Sequence, residues 1–152
     1  MADEADILIK FCEEEWTQGR QSENQRATMT NFSIIIAVAI FGLIVQMDFG
    51  TKALPLAIIL VLVGTYGALV SIKLYERWQL HMRRARYWRK RIDELHPNAQ
   101  LLQLRKAAWN DHKAKHHWLV RLHLNWLWVA IHSLIVSFGV VCAIIIIFVH
   151  GI

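Results

Sequence analysis

The chain has 152 residues, 55% of them hydrophobic, and a formal net charge of +5. Most of the apolar residues fall in three stretches nearly free of charge, which excludes an ordinary soluble globule, because a chain of this length has no room to make three such helices all central. Two cysteines, Cys12 and Cys142, exclude a disulfide framework.

Residues 1–30 read as an acidic amphipathic helix. They carry seven acids against three bases, and no basic stretch precedes a short apolar core, so no cleavable leader is expected. Ile7, Leu8 and Phe11 mark the apolar side, while Glu13, Glu14 and Glu15 supply an acidic surface. Gly19 is expected to loosen this helix. Residues 31–74 then form a transmembrane hairpin, with spans at about 31–48 ("FSIIIAVAIFGLIVQM" at its centre) and 54–74, joined by "DFGTKALP". The second span carries Gly64 and Ala68 at i, i+4, with Gly67 and Ser71 beside them, a spacing that lets helix backbones approach closely in lipid.

Residues 75–125 are expected to form a basic helical hairpin turning at 96–98. No proline or glycine lies between Ile72 and Leu95, so the second span should continue as one helix. Leu74, Trp78, Met82, Ala85, Trp88, Ile92 and Leu95 recur every three or four residues and make a coiled-coil-like seam. Arg83, Arg84, Arg86, Arg89, Lys90 and Arg91 lie mostly off that seam. Pro97 ends the helix, and Asn98 is expected to cap the next one. From Ala99 a second long helix should run back, packed antiparallel on the first arm, and directly into a third span at 126–149. Residues 150–152 form a short tail.

Charge sets the orientation. Residues 73–121 hold thirteen bases against four acids, and Lys and Arg are retained on the cytoplasmic side. The hairpin and the N-terminus are therefore expected inside, and the C-terminus outside. The acids of the first helix have an obvious target in the basic arms, within a subunit or between neighbours.

Candidate chemistry is sparse. His112 and His116 share a helix face, with His123 near it. They are weak candidates for a metal, since no HExxH or cysteine pair accompanies them, and no metal or other cofactor is expected. Trp118, Trp126 and Trp128 read as an interfacial belt, with Arg121 reaching toward headgroups. Within the third span, Asn125, His132 and Gly139 recur every seven residues. They form a polar stripe, and an ionisable residue inside a span is a functional candidate by default. Ser133 with Ser137, and Gly139 with Ala143, are further small-residue pairs for helix packing. The basic arm suits anionic lipid or serves topology alone, and with Tyr87 and Trp88 interleaved a nucleic acid or nucleotide is a less favoured ligand. No GxSxG, P-loop, GxGxxG or CxxC occurs, so no enzyme is expected.

The order of parts, "CEEEW" and "ENQR", then "FSIIIAVAIFGLIVQM" and "LPLAIILVLVGTYGALVSI", then "ERWQLHMRRARYWRKRIDEL", resembles the SLATT-type small membrane effectors of bacterial conflict and antiphage systems. The resemblance covers residues 1–95 and rests on architecture; the third span is additional. It implies a membrane-perturbing effector kept quiet until a partner senses infection.

The expectation is thus an all-α protein of the bacterial inner membrane. A lone subunit would expose the polar stripe to lipid, so a homo-oligomer is expected. Its function reads as an oligomeric effector that disrupts or perforates the membrane, triggered through its cytoplasmic helices by a sensor or activating protein. The alternative is a non-toxic anchored scaffold or sensor subunit that docks a cytoplasmic partner.

Overall fold

The computed structural model describes residues 3–150, and every long element in it is a helix. Four helices follow one another: α1 (Glu4–Gln46), α2 (Leu54–Leu95), α3 (Leu101–Lys115) and α4 (Leu124–His150). Single 3-10 turns at Thr51–Ala53, Pro97–Ala99 and Leu119–Arg121 connect them. Stretches of α1, α2 and α4 are long and apolar enough to cross a membrane. Only 17%, 28% and 22% of the residues in those stretches are buried, so each presents an apolar face that water would not tolerate.

The described residues divide into two compact units. Unit one joins the chain up to Glu23 with Glu76–His123, and unit two joins Asn24–Tyr75 with the chain from Leu124 onward.

In unit one the seam of α2 is covered by the start of α1, not by α3. Ala85 and Ile92 are buried. Phe11 lies against Trp88 with ring centroids 5.8 Å apart, and the Cys12 thiol points at the Ala85 carbonyl at 3.8 Å. Glu15 meets His81 at 2.6 Å and Arg84 at 3.7 Å, and Arg91 reaches Glu4 at 3.0 Å. Residue numbers rise along α1 as they fall along α2, so the pair is antiparallel. Gly19 does not loosen α1. It is buried inside an unbroken helix, where a Cβ would lie 2.5 Å from Met82 Cε, the tip of a flexible side chain, and 3.6 Å from Trp78 Cδ1.

The expected second arm is much shorter. α3 contributes no buried residue, and only its first turn is tied back, the Leu102 amide donating to Asp93 Oδ1 at 3.3 Å. That bond serves one of the free amides at the helix start, in place of the Asn98 cap expected from sequence; neither helix-start residue here makes a side-chain cap. The helix stops at Lys115 and does not run into the third span. His116, His117, Trp118 and Val120 are poor helix formers, and no residue of α3 is buried to override them.

In unit two, Ile40 and Ile44 of α1, Ala57 and Leu60 of α2 and Cys142 and Ile146 of α4 form the core, with Ala53 at its edge. The turn after α1 is left-handed at Asp48 (φ 47) and Phe49 (φ 52). Such a conformation is costly for a bulky side chain, and Phe49 is held there packed against the core cluster. Phe41 and Phe138 meet edge to face, centroids 4.7 Å apart. The two cysteines are free, and one lies in each unit.

Candidate functional site

The densest polar feature lies in unit two, among the three candidate spans. Arg26 of α1 is 2% exposed. Its Nη1 donates to Asn125 Oδ1 at 3.3 Å, and its guanidinium carbon lies 5.5 Å from the Tyr75 ring centroid and 5.2 Å from that of Trp128. Two aromatic faces and an amide thus hold the charge, each cation–π contact contributing roughly 0.5–2 kcal/mol. One turn on, Thr30 Oγ1 donates to the Arg26 carbonyl at 2.9 Å and lies 3.2 Å from His132 Nε2. A hydroxyl has one proton. With that proton on the Arg26 carbonyl, the oxygen accepts from His132, so a neutral imidazole carries its hydrogen on Nε2.

His132 is fully buried, and its Nδ1 has no hydrogen-bond partner. The ring edge lies on Gly67, where an added Cβ would collide with Nδ1 and Cε1. Gly64 faces the same turn of α4: a Cβ there would lie 2.8 Å from the Val136 amide nitrogen and 2.9 Å from the His132 carbonyl. Gly139 returns the arrangement, with a Cβ position 2.9 Å from the Val61 amide nitrogen. Glycines on both helices therefore let the α2 and α4 backbones approach, and the imidazole fills the space above one of them.

These placements revise several expectations. Asn125 is half-buried and His132 and Gly139 are buried, so the polar stripe is covered within one chain and does not require a second subunit to shield it. Ser133 and Ser137 are exposed, and Ser133 donates to its own helix at Val129 O; they make no packing notch within the chain. Ala68 is half-buried, and Ala143 packs on the core. Trp128 turns inward to Arg26, whereas Trp118 and Trp126 are exposed. Sequence reading missed Arg26, Thr30 and Ser33. Their signal was a spacing of four and three residues, continued at Ile40 and Ile44.

In unit one, of the three acids expected to face the basic arm, one is seen to pair with it. Glu15 makes the ion pairs with His81 and Arg84, while Glu13 and Glu14 are exposed. Among the bases, Arg89 lies over Trp16 at 5.4 Å and donates to Ala85 O at 3.2 Å, and Lys90 meets Glu94 at 3.8 Å. Burial lowers the Arg89 pKa from its ordinary value, and the nearby charge of Arg105 adds to the fall, opposed by Cys12 and assisted by Arg86. Burial raises the Cys12 thiol, opposed by Arg89 and assisted by Glu13. The His112 and His116 rings stand 4.9 Å apart, but His123 lies beyond the break in α3, near the Arg121 carbonyl. The three share no helix face, and no group of three metal-ligating side chains occurs among the described residues.

No family model matches the chain, and no curated protein or solved structure is significantly similar to it.

Proposed function

We propose that this chain is a non-enzymatic, multi-pass protein of the bacterial inner membrane that anchors a helical signal-receiving unit on the cytoplasmic side. The observation that carries this reading is the closure of the polar stripe. Arg26 and Thr30 of α1 meet Asn125 and His132 of α4, and Gly67 and Val61 of α2 lie against His132 and Gly139, so the resting bundle offers lipid a predominantly apolar surface. Among the hydroxyls that remain outside, those of Thr65 and Ser133 bond to their own backbones and are tolerated there. The excess of Lys and Arg between the second and third spans supports placing unit one and the N-terminus inside, with the C-terminus outside. Membrane lipids are then permanent partners, and a cytoplasmic sensor or activating protein is the natural partner of unit one.

A membrane-disrupting antiphage effector is the second reading, and the same cluster favours it. An arginine and a histidine stored between spans are costly in lipid, and a rearrangement that turned them outward in a homo-oligomer would line a polar path. Membrane potential separates the two. With the chain expressed beside its genomic neighbours, an unchanged potential and a co-purifying soluble partner support the anchored unit. Depolarisation that His132→Phe abolishes would replace it with the effector. A reporter fused to the C-terminus should be active only outside the cytoplasm.

A further inference from the structure

Two groups of bases in unit one differ in their partners. Arg84 and Arg91 are matched by Glu15 and Glu4 of α1. Arg83, Arg86 and Lys90 recur at three and four residues on α2, which puts them on one helix face. With Arg105 and Leu102 of α3 and with Tyr87, they line an open pocket of about 560 Å³. Among the described residues, Lys90 has only the exposed contact to Glu94 at 3.8 Å, and Arg83, Arg86 and Arg105 stand in no ion pair with a carboxylate. An orientation signal needs positive charge in the segment, not its gathering from two helices around one concavity. Like charges brought together repel unless an anion joins them.

The pocket's size is that of a small-molecule site, within about 300–1,000 Å³. Three guanidinium forks and an ammonium match phosphate oxygens. Tyr87 is 68% exposed and offers one free ring face. A nucleic acid strand would need a succession of stacking faces, but Trp88 is taken up against Phe11. A soluble anion is favoured over a lipid headgroup. Arg83 follows Leu74, the expected end of the span, by nine residues and Lys90 by sixteen. At 1.5 Å per residue they lie roughly 13–24 Å further along α2, past a headgroup layer about 5–8 Å deep.

We infer that this pocket binds a small soluble compound carrying two or more phosphate groups, held by Arg83, Arg86, Lys90 and Arg105, with a ring of the ligand on Tyr87. This names the ligand class of the signal-receiving unit and rests on that reading for its cellular role, while binding itself can be measured without it.

The test uses the full chain in uncharged detergent, titrated calorimetrically with inorganic triphosphate, ATP and inorganic monophosphate. Anionic-lipid vesicles and single-stranded RNA serve as competing probes. Expected is saturable binding of triphosphate at one per chain, with monophosphate far weaker. Arg86→Gln with Arg105→Gln should weaken it at least about 10-fold, Tyr87→Ala should weaken ATP but not triphosphate, and Lys113→Gln, on α3 outside the pocket, should change it less than about 2-fold. Helix content by circular dichroism should be unaltered in all variants. Equal losses from Lys113→Gln, no triphosphate binding, or binding of vesicles or RNA that triphosphate fails to displace would each overturn the inference. A normal membrane potential or a missing partner bears on the cellular reading and leaves these binding results standing.

Discussion

The contact between α2 and α4 makes the sharpest prediction, because two glycines report on it and a third, on α1, serves as a control. A Cβ at Gly64 would lie 2.8 Å from the Val136 nitrogen, and one at Gly139 would lie 2.9 Å from the Val61 nitrogen and 3.0 Å from Leu60 Cβ. Carbon contacts are comfortable from about 3.5 Å, so each new methyl needs roughly 0.5–0.7 Å. The obstructing atoms include backbone, so no side-chain rotation clears them and the helices must part. A gap of that size forfeits a quarter to a half of the dispersion energy along the contact, and overpacking of this kind costs about 1–3 kcal/mol. Gly42 is the control: a Cβ there meets nothing within 4 Å, and alanine is the better helix former by about 1 kcal/mol. Unfolding in mixed micelles should show Gly64→Ala and Gly139→Ala each destabilised by about 1–3 kcal/mol and Gly42→Ala unchanged or stabilised. The double variant should lose less than the sum, since one methyl already parts the helices that the other would. If all three variants behave alike, the close approach of α2 and α4 is wrong.

Three further outcomes follow from the packing. Thr30→Val leaves the His132 Nε2–H buried beside a methyl group and should cost about 1 kcal/mol, read by the same unfolding assay; a neutral result would remove the hydrogen bond. Glu15→Lys should destabilise the chain by about 1–2 kcal/mol by setting a buried lysine against His81 and Arg84, whereas Glu13→Lys and Glu14→Lys should stay within about 0.5 kcal/mol, as paired denaturation curves would show. The raised Cys12 thiol makes stability pH-dependent. The unfolded chain ionises this thiol first, so the stability from keeping it protonated is complete below the ordinary value of 9.0 and is lost as pH rises through the folded value. Stability curves of the wild type and Cys12→Ser should therefore run parallel below that value, and only the wild type should show this extra alkaline decline.

The three helices long and apolar enough to cross a membrane were legible because long uncharged apolar runs have few other uses. The turn at Pro97 was legible because proline cannot continue a helix. The inward face of α1 was not. Its buried positions include Ala5, Leu8, Cys12, Gly19, Ser22, Arg26, Thr30, Ser33, Ile40 and Ile44, which keep a helical spacing but are small or polar over most of its length, so hydrophobic periodicity passes over them. The stripe of Asn125, His132 and Gly139 could be seen in its seven-residue repeat, but what covers it depends on α1 and α2, and no local pattern states that. The end of α3 was hidden for the opposite reason: no proline or glycine marks it, and the helix stops where poor helix formers follow a stretch with no buried residue.

The central claim is that the polar stripe of α4 is enclosed by α1 and α2 of its own chain. Its most direct test places cysteines at Phe41 and Phe138, whose rings meet at 4.7 Å, in a chain with Cys12→Ser and Cys142→Ser. Purified in mild detergent, this variant is treated with a short thiol-to-thiol cross-linker and weighed intact by mass spectrometry. The account predicts one chain carrying one doubly attached linker as the main product, at any protein concentration. Linkage chiefly between chains, or two singly attached linkers on an otherwise uncrosslinked chain, would contradict it.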